Sequence, residues 1–183
     1  MTLSLLQEIV NNKFLLVLME EKVYLSKLGE IIKSVEKTKT KVCYVCLSRP
    51  YADVMEDLRD KGIDTSDFFF IDVLSSHYRE QRPVDNCIFI PAPDDINTIR
   101  LAIRRAVEEK KRSVILFDTI SALLIYQETS SIVKFTHHLL TEKEQENVKK
   151  LFIVLKGDTI PMEENQRLVK DLTMFADKTL DFG

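Results

Sequence analysis

"VILFDTISALL" (residues 114–124) sets four apolar residues in a row, ends them on a single aspartate, Asp118, and follows at once with Thr119 and Ser121. A run this short and this apolar reads as a strand buried on both faces. The same kind of run recurs along the chain as FLLVLM (14–19), VCYVCL (42–47), FFFIDV (68–73), CIFI (87–90), SVILF (113–117) and LFIVL (151–155). TLDF near the C-terminus would add an edge strand. Amphipathic helical patterns lie between them. Residues 50–61 open at Pro50, a good first helical position, and stop before Gly62. Residues 94–110 place Ile96, Ile99, Ile103 and Val107 on one face, and 130–146 carry Ile132, Val133, Phe135, Leu139 and Leu140. Residues 161–175 open at Pro161 and offer Leu168, Leu172 and Phe175 to a core. Strands alternating with helices predict a three-layer α/β/α fold, a mostly parallel sheet with helices on both faces. HYREQRPVDN (77–86) is the one long polar connection. With no repeat, low-complexity tract or linker, residues 1–183 are expected to form a single domain.

Composition narrows the function classes. Hydrophobic residues make up 45% and charged residues 30% of 183, and the net charge is −3. No basic field is present to attract nucleic acid. Arg104, Arg105, Lys110, Lys111 and Arg112 are interrupted by Glu108 and Glu109, without interleaved aromatics, and read as a solvated helix face. No apolar run approaches the ~20 residues of a membrane span. MTLSLLQEIVNNK lacks the positive leading region and small-residue cleavage site of a signal peptide, so a cytoplasmic location is expected. Cys43 and Cys46 form C-x-x-C, but within a strand pattern, where residues three apart point to opposite faces, so they read as packed structural cysteines. His137 and His138 are adjacent on a helix, point about 100° apart, and cannot comfortably share a ligand sphere. Neither a metal nor a cofactor is expected.

Glycine gives the sharpest exclusion. The four glycines, Gly29, Gly62, Gly157 and Gly183, are far fewer than the ~7% of an average chain. No two are close enough to build a phosphate-cradling loop, and neither G-x-G-x-x-G nor G-x-x-x-x-G-K-[ST] occurs.

The order of these pieces resembles the RecA/KaiC-like ATPase family, especially its KaiC-like and degenerate archaeal members. Strand 14–18 stands where the family's first strand leads into the phosphate loop. CYVCLSRPYADVMEDLRDKGID is similar to the second strand, its proline-started helix and the closing glycine-hydrophobic-aspartate. FFFIDVLSS, PAPDDINTIRLAIRRAV and VILFDTISALLIY resemble the next strand, the helix before the magnesium-site strand, and that strand with its turn. IVKFTHHLL, LFIVLKGD and FADKTLDFG resemble the remaining helix, strand and edge strand. The resemblance spans nearly the whole chain and implies a RecA-like sheet.

It also implies a nucleotide site from which key parts are missing. Laid onto the eight-residue phosphate loop, MEEKVYLS (19–26) puts Met19 and Tyr24 where glycines belong and Leu25 where the phosphate-binding lysine belongs; only Ser26 matches. Such a loop needs converging backbone N–H groups and a neutralising lysine, whereas Glu20 and Glu21 would repel a triphosphate. The water-activating carboxylates would stand at Leu47 and Ser48, with Arg49 next. Ser26, Asp118 and Thr119 remain as a vestigial nucleotide-binding set, and Asp118 without its companions is expected to cap a helix or brace a turn. Tyr24, Leu25 and Tyr126 are expected either to form a protein interface or to plug the empty pocket. A receiver-like phosphorelay pocket of Glu20, Glu21, Asp72, Thr119 and Lys156 is the rival at the same sheet edge, weakened by chain length and by an extra strand-like segment.

The reading is a catalytically inactive RecA/KaiC-like domain acting as a regulatory or scaffolding module. A protein partner, an active ATPase of the same fold or a signalling protein, is expected, with two assemblies open: a homodimer, or a monomer that awaits its hetero-partner. The alternative is a weak nucleotide or small-ligand binder using the C-terminal edge of the sheet.

Overall fold

Seven parallel strands form one sheet in the order β4-β3-β2-β5-β6-β1-β7 in a computed structural model, which describes residues 4–157 and 162–183. The strands are β1 (Phe14–Glu20), β2 (Val42–Cys46), β3 (Phe68–Asp72), β4 (Cys87–Phe89), β5 (Val114–Asp118), β6 (Lys149–Lys156) and β7 (Lys178–Phe182). Every expected apolar run is a strand, TLDF included, and the sheet is wholly rather than mostly parallel. Parallel pairing needs crossovers, and helices supply them on both faces. The crossovers are α2 (Tyr24–Lys37), α3 (Tyr51–Asp60), α4 (Ser75–Tyr78), α5 (Ile96–Glu108), α6 (Thr129–Thr141) and α7, described from Met162 to Thr173, while α1 (Leu5–Asn11) precedes β1. The expected start of the last helix at Pro161 lies outside the described residues. The helical pattern over 130–146 breaks after Thr141 into a separate 3-10 turn, Lys143–Gln145.

Alternation along each strand divides the core in two. Phe14, Leu16, Cys43, Val45, Ile115 and Phe117 face α5, α6 and α7, where Ile103, Phe135 and Leu168 meet them. Leu15, Val17, Tyr44, Cys46 and Leu116 face α1, α2 and α3, where Ile31, Ile32 and Leu58 meet them. Cys43 and Cys46 therefore lie on opposite faces, as the strand reading requires, and both are free thiols. Burial drives the Cys43 thiol up to about 12, which keeps it protonated and unreactive.

Three helices escaped the sequence reading: α1, α2 and the single turn α4. Ser4 and Gln7 close a capping box around α1: the Ser4 hydroxyl accepts from the Gln7 N–H at 3.3 Å, and Gln7 Oε1 accepts from the Ser4 N–H at 2.9 Å. α2 begins at Tyr24, so MEEKVYLS is not a loop. β1 runs through Glu20, Glu21–Val23 make one 3-10 turn, and Tyr24, Leu25 and Ser26 are already helical.

Candidate functional site

Strand register places two aspartates at the same level of the C-terminal sheet edge. Cys46 of β2 stands opposite Asp72 of β3 on one side and Asp118 of β5 on the other. Both aspartates are fully buried, and a buried carboxylate must be compensated. The two are compensated by different chemistry.

Asp72 is the cap. Its Oδ1 accepts from the backbone N–H groups of Leu74 at 2.7 Å and Ser75 at 2.9 Å. Its Oδ2 accepts from the Tyr51 N–H at 2.7 Å and the Ser75 hydroxyl at 2.6 Å. The side chain thus ties the starts of α3 and α4 to the end of β3, using donors that a helix leaves unpaired.

Asp118 caps nothing, which corrects the expectation for it. Among the described residues its carboxylate takes no backbone N–H; the Tyr24 hydroxyl donates to Oδ1 and the Tyr44 hydroxyl to Oδ2. The register explains Tyr44: it faces Leu116, two residues before Asp118 on the same side of the sheet, a diagonal that an aromatic side chain can span. Tyr24 comes from above, as the first residue of α2, and is 9% exposed. Arg49, just after β2, completes the group. Its Nη2 lies 3.6 Å from Asp118 Oδ2, its Nη1 lies 3.3 Å from Asp57 Oδ2, and its guanidinium sits 5.6 Å from the centre of the Tyr24 ring. The Arg49 Nε and Nη2 are buried without a hydrogen-bond partner among the described residues.

The electrostatics follow from burial. Desolvation lifts the Asp118 carboxyl above its ordinary value, and the two phenol hydroxyls and the Arg49 charge pull the other way without cancelling it. Burial and the neighbouring carboxylate push both phenols up as well, so Tyr24 and Tyr44 stay protonated donors at neutral pH. The result is a closed hydrogen-bonded cluster across α2, β2 and β5.

Beside it runs a second polar network. Thr119, fully buried, donates its N–H to the Ser48 hydroxyl at 3.0 Å and shares a hydroxyl contact with it at 2.8 Å. The Ser121 hydroxyl lies 3.3 Å from Thr119 Oγ1 and accepts the Leu155 N–H at 3.1 Å. Leu47 and Ser48 donate their own N–H groups to the Asp118 carbonyl at 2.8 and 3.0 Å. These contacts stitch β2, β5 and β6 together past the end of the regular ladder.

The other expected site residues do not converge on Asp118. Ser26 is exposed, and its hydroxyl donates to the Val23 carbonyl at 2.9 Å. Leu25 is 50% exposed on the solvent side of α2. Tyr126 is half-buried at the end of the 3-10 segment Ile120–Ile125, in a groove beside Glu164 and Arg167. The receiver-like pocket does not assemble either, because β2, β5 and β6 separate Asp72 from Glu20, and Lys156 pairs with Asp181 at 2.5 Å. His137 and His138 are exposed, with ring centres 6.5 Å apart, and no group of three metal-binding side chains occurs among the described residues. Arg104–Glu108 and Arg105–Glu109 pair at 2.9 Å along the exposed face of α5, the solvated face expected there. No helix among the described residues is long and apolar enough to cross a membrane.

Tyr44 and Arg49 are the members that sequence reasoning left unassigned. The signal was present: a tyrosine inside an otherwise apolar, doubly buried strand needs a partner for its hydroxyl.

Comparison with known proteins bears on the fold alone. No family model and no curated protein matches the chain. Among solved structures it is similar to a KaiC-like protein from the hyperthermophilic archaeon Pyrococcus horikoshii OT3. The TM-score is 0.62 at 15% identity, over 93% of this chain and 73% of that one. The fold is RecA/KaiC-like.

Proposed function

We propose that this chain is a RecA/KaiC-like domain without ATPase activity, acting through protein association in a regulatory or scaffolding role. One observation carries the reading: the Asp118 carboxylate is closed over by the protein's own Tyr24 and Tyr44 hydroxyls. In nucleotide hydrolases an aspartate at this place holds magnesium beside the transferred phosphate. Here Tyr24 occupies the approach, Leu25 stands in place of a phosphate-binding lysine, and no glycine loop separates β1 from α2. The natural partner for such a domain is an active ATPase of the same fold or a signalling protein. A second copy is the simplest assembly, since closed symmetric dimers are the commonest oligomers.

The test is thermal melting and phosphate release in millimolar Mg-ATP. Binding at a hundred times Kd would stabilise the fold by about 2.7 kcal/mol; neither a shift nor hydrolysis is expected. An upward shift that disappears in Asp118→Ala would replace this reading with the ligand-binding one. Light scattering addresses association. Tyr24→Ser should lower stability at unchanged mass, because Tyr24 is buried. Tyr126→Ser should lower mass with little change in stability, and an unchanged mass there would remove Tyr126 from the interface.

A further inference from the structure

Parallel strands all begin at one edge of the sheet, so the turns that lead into them meet there although the sequence scatters them. Before the four central strands, in the order β2, β5, β6 and β1, these turns hold six cations, Lys39, Lys41, Lys110, Lys111, Arg112 and Lys13, against one carboxylate, Glu146. Backbone hydrogen bonds bring them side by side. The Ser113 N–H donates to the Lys41 carbonyl at 2.9 Å, the Lys149 N–H to the Ser113 carbonyl at 2.9 Å, and the Lys150 N–H to the Lys13 carbonyl at 2.7 Å. Four strands about 4.8 Å apart make this basic stripe about 14 Å long. Asp64 and Asp67 before β3 and Asp177 before β7 bound it at its two ends.

The five lysines are exposed, and none pairs with a carboxylate among the described residues. Helix ends do not account for them. A helix C-terminus carries about half a negative charge, so one ammonium group would offset both α2 and α5, which end beside these lysines. Lys149 already serves α1, donating to the Ile9 and Val10 carbonyls. Two of the five also stand where a side chain is strained: Lys39 and Lys111 have φ of 55° and 54°, the left-handed region that glycine adopts freely.

The shape of the stripe selects a thin, extended anion. A double helix or a membrane surface is broader and would meet Asp64, Asp67 and Asp177 as well. Single-stranded nucleic acid needs aromatic rings for its bases, and Phe69, the ring that Lys110 and Arg112 each approach at 5.7 Å, is 3% exposed. An extended peptide rises about 3.3 Å per residue, so about four residues span the stripe. We propose that the N-terminal edge of β2, β5, β6 and β1 binds an acidic segment of a partner protein, its carboxylates meeting Lys41, Lys110 and Lys111, with Lys39 at one end and Lys13 at the other. The proposal rests on the association reading for taking a protein as the partner, and it uses neither Asp118 nor Tyr126.

The probe is a fluorescein-labelled decaglutamate peptide, titrated with the full chain and followed by anisotropy at low and at physiological salt, with amide shifts for location. Saturable binding that weakens with added salt is expected, with shifts at residues 39–41 and 110–113. Lys41→Glu combined with Lys111→Glu should weaken it about tenfold or more, since one exposed pair is worth up to about fivefold and reversal adds repulsion. Lys111→Gly should weaken it about threefold while melting no lower than the wild type, because glycine relieves the backbone. That variant keeps the test decisive should the double reversal unfold. Lys170→Glu, exposed on α7, should bind as the wild type does. The proposal is overturned by an absence of saturation at low salt, by undiminished binding of the double reversal, by an equal loss in Lys170→Glu, or by tighter binding of decathymidylate or of phosphatidylserine vesicles. If the peptide fails to bind while Tyr126→Ser still lowers mass, association stands and its surface lies elsewhere.

Discussion

Tyr24, the first residue of α2, donates its hydroxyl to Oδ1 of Asp118, the last residue of β5. The two are 94 positions apart in sequence, and β6 lies between the strand that leads to Tyr24 and the strand that ends in Asp118. The contact therefore clamps one helix layer onto the middle of the sheet at the edge where ligands usually enter.

Removing one donor from that clamp should be costly. Tyr24→Phe and Tyr44→Phe each leave the buried carboxylate short of a hydrogen bond, at about 1–3 kcal/mol apiece. Because both act on one carboxylate, the double variant should not equal the sum of the two, and a double-mutant cycle by urea unfolding measures the difference. Strict additivity would mean that the two phenols do not share the load.

Asp118→Asn should cost less than either phenylalanine. The amide can accept from one phenol and donate to the other, and it removes a buried charge while giving up only the attraction of Arg49. Asp118→Ala should cost more than Asp118→Asn, since it strands two buried hydroxyls. An order in which Asn is the worst of these variants would show that the charge itself stabilises the fold.

The pH dependence of that comparison has a definite sign. Burial holds the Asp118 carboxyl above its ordinary value, so the folded state binds its proton more tightly than the unfolded state. The stabilisation from this group is present in full below the unfolded value of about 4 and is lost as pH rises through the folded value. Relative to Asp118→Asn, the wild type should lose stability across that window and then level off. A wild type that gains on the variant as pH rises would reverse the sign.

Lys150 offers a second titration at the opposite end of the sheet. It is 4% exposed, its ammonium group donates to the Gln145 carbonyl at 2.6 Å, and burial brings it down to about 8. The unfolded state then binds the extra proton between about 8 and the ordinary value near 10.4, so stability should rise with pH over that interval. Lys150→Met should stabilise the protein near neutrality by about 1–2 kcal/mol, and the advantage should fade as pH approaches 10. Parallel stability curves for the two proteins would place the ammonium group in contact with water.

The strands were legible because apolar runs of four to six residues bounded by polar segments admit few other structures. α2 was equally legible, with Leu28, Ile31, Ile32 and Val35 at helical spacing. It was hidden by laying residues 19–26 onto a loop, and the three-residue turn Glu21–Val23 leaves no room for one. The site was legible in part. Asp118 stands out at the end of its strand, but its partners come from three elements, and the Tyr44 diagonal exists only once the β2–β5 register is known. Asp72 and Asp118 look alike in sequence, and only the donors around each show that one fastens helices and the other is held by phenols.

The strand order also dictates when the pieces can meet. β2, β3, β4 and β5 pair only among themselves up to residue 118, whereas β1 pairs with β6 and β7 alone. The first strand made is thus an orphan until residues 149–182 have been synthesised, and its wholly apolar Leu15–Leu18 must be kept from wrong contacts meanwhile. Half a sheet can assemble around β2 and β5 early, with Tyr44 already on Asp118, while α2 delivers Tyr24 only after the C-terminal third arrives. Pulse-labelled amide exchange during refolding should protect Val42–Cys46 and Val114–Asp118 before Phe14–Glu20, and simultaneous protection would mean that the whole sheet closes in one step.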